Sequence, residues 1–288
     1  PNAILNLTTQ VGDDFTFHGN LRSGTANNLF LNKYGAGTQT FVATGKAGYT
    51  EAWGRTDIFE GALVFRDLVA FGAASVGIRG NSTLTFNGNS ELVLDKTYAG
   101  SGTLILDNAG RTTLTSPGSG SPSFLGDLDI RSGVVRLGHA QVFGTTSGST
   151  YVRAGATLDL AGLNATGATL LLNGGTIANA SAYTGSVGFA AAITSFGAAD
   201  LTSLDANVAV RVAAGQTLDT DTLTRAIDFR GGSLANLGTY AGVLNVKGAL
   251  DASATGLSAG TINLTSTGSI ALGNTASAKT INYQGGAL

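Results

Sequence analysis

The chain has 288 residues and a net charge of −2; 43% of its residues are hydrophobic and only 12% are charged. Its 16 Lys and Arg are scattered singly along the sequence, so no linear basic patch points to a nucleic-acid partner. No apolar run approaches the ~18 residues of a spanning helix, and the absence of Cys excludes disulfides and thiolate chemistry.

In chain order, short apolar-x-apolar triplets dominate. They begin with Leu5-Asn6-Leu7 and Phe15-Thr16-Phe17 and continue through Leu63-Val64-Phe65, Leu84-Thr85-Phe86, Leu104-Ile105-Leu106 and Leu158-Asp159-Leu160. Alternation over three to five residues predicts a strand with one buried face: the outer two side chains point in and the middle one points out. No window sustains a helical period. From Leu31 to Phe65, each part places a glycine and a small polar residue just before strand-forming residues. Glycine suits a tight corner, and the apolar residues after it favour an extended, half-buried setting.

This glycine-then-aliphatic signature recurs. Successive aliphatics at Leu63, Leu84, Leu104, Val135, Leu158, Ile177, Leu218, Leu234, Leu250, Ile270 and Leu288 mostly lie near 20 residues apart. A drifting period of this length marks a solenoid. The expected fold is all-β: one parallel β-helix (β-solenoid) domain over residues 1–288, with about 20 residues per coil. The longest gaps fall at Leu104 to Val135 and Ile177 to Leu218. They predict loop insertions near 115–123, which holds two of the three prolines, and near 178–206. From Val208 the pattern is regular again. It stops in mid-repeat at Leu288, so further copies or further sequence are expected to stack on the solenoid ends.

The run Leu31-Asn32-Lys33-Tyr34-Gly35-Ala36-Gly37-Thr38, then Tyr49-Thr50, Gly54-Arg55-Thr56 and Glu60-Gly61-Ala62-Leu63, resembles the passenger-associated strand repeat of bacterial autotransporters. Residues Glu51 to Trp53 interrupt that pattern. The resemblance implies a right-handed parallel β-helix on the bacterial cell surface, extracellular, and brings no catalytic residues with it.

The chemistry expected is correspondingly sparse, with no catalytic, cofactor-binding or metal site. Glu occurs at 51, 60 and 91 and His at 18 and 139. Asp127/Asp129 and Asp219/Asp221 have the i, i+2 spacing that could hold Ca²⁺ or do acid–base work, but they read first as outward residues on solvated strands. Tyr34, Tyr49 and Trp53 form a candidate sugar contact. Phe30, Val64, Val93, Ile105 and Leu171 are apolar at outward positions and form a candidate partner surface. Asn245, Asn263 and Asn282 are the middle residues of triplets 18 and 19 residues apart, and a structural ladder is expected there. The expected function is a non-catalytic structural or adhesive solenoid, either a segment of an autotransporter-like passenger or a subunit of an end-to-end filament. It would meet a host-cell or carbohydrate surface. The alternative is a polysaccharide-active β-helix enzyme or a carbohydrate-binding module.

Overall fold

In the computed structural model, the described residues are 3–19, 21, 29–43, 49–68, 71–115, 124–142, 148–165, 167, 169–254, 256–273, 276–277 and 280–287. Strands make up nearly all of the regular structure, with two 3₁₀ turns at Ala198–Leu201 and Leu237–Thr239 and no α-helix among the described residues. Among the described residues every strand-to-strand ladder is parallel and joins one coil to the next, so the fold is a parallel β-solenoid. Each strand's backbone hydrogen bonds therefore go to the coils on either side, and one coil alone cannot satisfy them.

The chain divides into two compact units. The first is Pro1–Thr169 with Gly174–Asn179; the second is Leu170–Asn173 with Ala180–Leu288. In the first unit, the inward residues stack as columns. Gln39, Leu63, Leu84, Leu104 and Leu128 form one column. Phe17, Phe41, Phe65 and Phe86 form another, with ring centroids 5.7, 5.6 and 5.9 Å apart. Phe71 closes on Phe65 and Phe86 edge-on, at 4.9 Å from each. Offset and edge contacts of this kind add to the gain from burial alone.

Corners explain the glycines. Gly35 and Gly61 have φ of +72° and +71°, and a Cβ at Gly61 would lie 2.4 Å from the Gly35 carbonyl oxygen one coil below. A side chain there would push the coils apart. Lys33, on the same inward side as Leu31, is fully buried. Its ammonium donates to the carbonyls of Tyr34, Gly35 and Glu60 at 2.8, 2.6 and 3.3 Å. The Lys-x-Gly-x-Gly run thus builds a corner whose inward carbonyls are capped by a buried cation. Burial lowers the Lys33 pKa, and Glu60 opposes that shift.

In the second unit, Val210, Ile227, Leu244, Ile262 and Ile281 form one inward column. Val212, Phe229, Val246, Leu264 and Tyr283 form its neighbour. Leu244, Val246, Ile262 and Leu264 are fully buried, whereas Ile281 and Tyr283 are 43% and 60% exposed. Corner carbonyls are again capped from within. Gln216 donates to those of Phe189, Ala190 and Ile193. The Arg225 guanidinium donates to those of Leu201, Leu204, Asp205 and Val208 at 3.1–3.4 Å.

Within each long gap of the sequence period lies a residue paired one coil away, Leu128 with Leu104 and Phe196 with Leu218. Leu104 pairs with Leu128, and Val135 belongs to another column, above Thr112 and below Leu158. The apparent 31-residue gap is a change of column; residues 116–123 lie outside the described residues. The region 178–206 contains strands Ser186–Phe189 and Ser195–Phe196 and the turn Ala198–Leu201. Phe196 takes the missing place below Leu218, without a preceding glycine to signal it.

Candidate functional site

The outward positions carry whatever chemistry the fold offers. The two acidic pairs do not act as pairs. Asp127 accepts the Ser149 backbone N–H at 2.9 Å. Asp129, nearly buried, is clamped by Arg131 at 2.9 Å and by Arg153 of the next coil at 2.6 Å. Arg153 also lies 5.3 Å over the Tyr151 ring, and the hydrogen bond to Asp129 raises its pKa. Asp219 closes a turn by accepting the Asp221 N–H, and it also accepts the Asn236 amide at 2.8 Å. That amide bond, ahead of the backbone one, holds the Asp219 carboxyl below the ordinary carboxylate value. His139 Nδ1 accepts the Gln141 N–H within a turn. Among the described residues, no three His, Cys, Asp or Glu side chains converge as metal ligands.

Of the candidate sugar contact, the Tyr34 side chain is among the described residues. Tyr34 stacks on Phe59 of the next coil, centroids 4.8 Å apart and planes 3° from parallel, and Arg79 lies 5.6 Å over Phe59. The Tyr49 and Trp53 side chains lie outside the described set; their backbones pair with Phe71 and Ala73 across a register shift.

The five outward apolar residues do not make one stripe. Phe30 sits between Ile4 and Arg55. Val64 and Ile105 share a column, but Thr85 separates them. Val93 neighbours Thr113 on a different strand set, and Leu171 neighbours Gly188. Ile105 is itself only 7% exposed.

In the second unit the outward column is polar and continuous: Arg211, Asp228, Asn245, Asn263 and Asn282 stand in register on successive coils. Each Asn amide donates to the Asn oxygen one coil below, Asn263 to Asn245 and Asn282 to Asn263, both at 2.7 Å. Where the column turns charged, Asp228 is 4% exposed and accepts Ser186 Oγ at 2.9 Å and Arg230 at 3.0–3.2 Å. Lys247 Nζ lies 3.0 Å from its other oxygen, at ion-pair distance though out of line for a hydrogen bond. Burial pushes the Asp228 pKa up. The contacts with Lys247, Ser186 and Arg230 outweigh it and leave the group below its ordinary value. Arg211, 8% exposed, turns away from Asp228 across Gly188 and donates to the Leu170 carbonyl at 2.9 Å. The guanidinium passes close over Gly188, where a Cβ would lie 2.9 Å from it.

Sequence reasoning missed this cluster. The strand is Ala209–Val212, with Val210 and Val212 inward and Arg211 between them. The available signal was charge. Val210-Arg211-Val212 and Ile227-Asp228-Phe229 lie one coil apart and carry opposite charges in the middle. Cations that are single in sequence are thereby gathered in space. Comparison of this chain with protein-family models, curated proteins and solved structures finds no match.

Proposed function

We propose that this chain is a non-catalytic structural or adhesive solenoid of the bacterial cell surface. It acts as a segment of an autotransporter-like passenger or as a subunit stacked end to end. The observation that supports this most is the outward amide ladder Asn245–Asn263–Asn282, which joins coil to coil on the outside as the aliphatic columns do inside. A surface spent on repetition suits extension and display. Consistent with that reading, the clustered carboxylates are engaged by Arg, Lys or backbone N–H groups instead of facing a shared groove. The Lys-x-Gly-x-Gly corner gives the resemblance to the passenger repeat a physical meaning, because those residues are the ones that let coils close-pack at the turn.

The test joins microscopy with turnover. Negative-stain images of the purified chain are expected to show rods or end-to-end filaments. Incubation with a panel of polysaccharides is expected to release no reducing ends above buffer. Globular particles would remove the structural reading, and steady release of reducing ends would establish the enzyme alternative.

A further inference from the structure

We propose that Arg230 and Lys247 form a binding site for an oxyanion, sulfate ester or carboxylate, borne by an acidic polysaccharide that runs along the coils of the second unit. This rests on the adhesive reading and names the ligand class.

The charge balance is the starting point. Two cations engage one carboxylate, so one positive charge is left over around Asp228, in a chain whose net charge is negative. Arg230 and Lys247 follow paired residues, Phe229 and Val246, and so stand on adjacent coils, about 4.8 Å apart along the axis. The Asp228 carboxylate lies between them and offsets one of the two like charges, which leaves the pair favourable to a second anion. Their side chains are 49% and 40% exposed, so an incoming anion can reach them. Arg230 turns Nε and Nη2 to Asp228, and its guanidinium makes no other hydrogen bond among the described residues. Its Nη1 edge therefore remains for a ligand, and an arginine edge beside an ammonium suits an oxyanion.

The neighbouring column selects the carrier. From Asp228 it continues into Asn245, Asn263 and Asn282, whose amide groups present donors and acceptors to sugar hydroxyls at one-coil intervals. A pyranose in an extended chain advances by about one coil spacing, so acidic group and hydroxyls can meet their partners in step. The column bears no aromatic ring for the base stacking that single-stranded nucleic acids use. It also has no apolar side chain to enter a membrane.

The experiment measures binding of the full chain to polygalacturonate and to dextran sulfate. Neutral dextran, poly-glutamate and phosphatidylserine vesicles serve as comparators. Both acidic polysaccharides are expected to bind, more weakly at high salt. Lys247→Gln, which leaves the Arg230–Asp228 pair intact, is expected to weaken binding about tenfold or more. Asn263→Ala is expected to weaken it a few-fold while leaving inorganic sulfate binding unchanged. An unaltered circular dichroism spectrum checks folding in each case. Wild-type affinity in Lys247→Gln overturns the site. Equal affinity for poly-glutamate or the vesicles overturns the polysaccharide assignment. Adhesion to neutral glycans without binding to either acidic one removes this site and leaves the adhesive reading standing; no adhesion to any surface removes both.

Discussion

The two units solve the same stacking problem with different corners. In the first, paired residues on successive coils are 19 to 26 positions apart, as in Leu158 with Ile177 and Asn6 with Asn32. In the second, the ladder from Val210 to Tyr283 advances by 17 to 19, as in Asn236 with Asp219 and Asn282 with Asn263. Strands cannot absorb this difference, because a one-residue slip would turn every inward side chain outward. The corners absorb it. The longer coils accommodate a column of phenylalanines and a corner holding buried Lys33. The shorter ones pack aliphatics and turn tightly at Thr222, Gly232 and Asn236, all at positive φ. The comparison teaches that coil length is free to drift as long as inward columns and corner carbonyls remain satisfied.

The largest test of that idea is Ile262→Asp. The side chain is fully buried between Leu244 and Ile281, and an unpaired carboxylate there is expected to cost about 4 kcal/mol or more. Hydrogen exchange should lose protection in strands Val243–Val246 and Thr261–Leu264; unchanged protection would mean the column is not what holds the second unit. The counterpart in the first unit is Phe65→Ala, which removes the ring touching Phe41, Phe71 and Phe86. A loss of about 3–5 kcal/mol in chemical denaturation is expected, and a loss no greater than for an exposed phenylalanine would sink the aromatic column.

Corner capping is probed by Lys33→Met, which keeps the aliphatic stem and withdraws the donor from three carbonyls. The expected destabilisation is about 2–3 kcal/mol, with Lys33→Gln losing less because it retains a donor. Equal losses for the two would show that packing, not capping, is the role of Lys33.

Asp228 gives the second unit a pH dependence. Its folded pKa lies below the ordinary value, so its stabilisation is present above about pH 3.9, the unfolded value, and is lost as pH falls through the folded one. The melting temperature should therefore drop more steeply below about pH 4 in the wild type than in Asp228→Asn; parallel curves would contradict the sign. The smallest effect is expected for Asn263→Asp, under about 1 kcal/mol, since the ladder is on the surface and its neighbours can turn to water. A loss comparable to that of Ile262→Asp would mean the amide ladder is structural in a stronger sense.

Local pattern was enough to establish much of this molecule. Triplets alternate in and out because successive strand residues face opposite sides. Their recurrence near 20 residues implied a solenoid, and the 18- and 19-residue spacings implied the Asn column. Tertiary structure alone decided which triplets share a column. Leu104 and Val135 look alike in sequence but stand over different neighbours, and Phe196 fills a column with no glycine to announce it. It also placed Lys33 inside, because the carbonyls that capture its ammonium come partly from another coil. The cations around Asp228 were invisible for the same reason. Electrostatics depends on distance in space, and a solenoid brings residues that are 17 to 19 apart in sequence to one coil spacing.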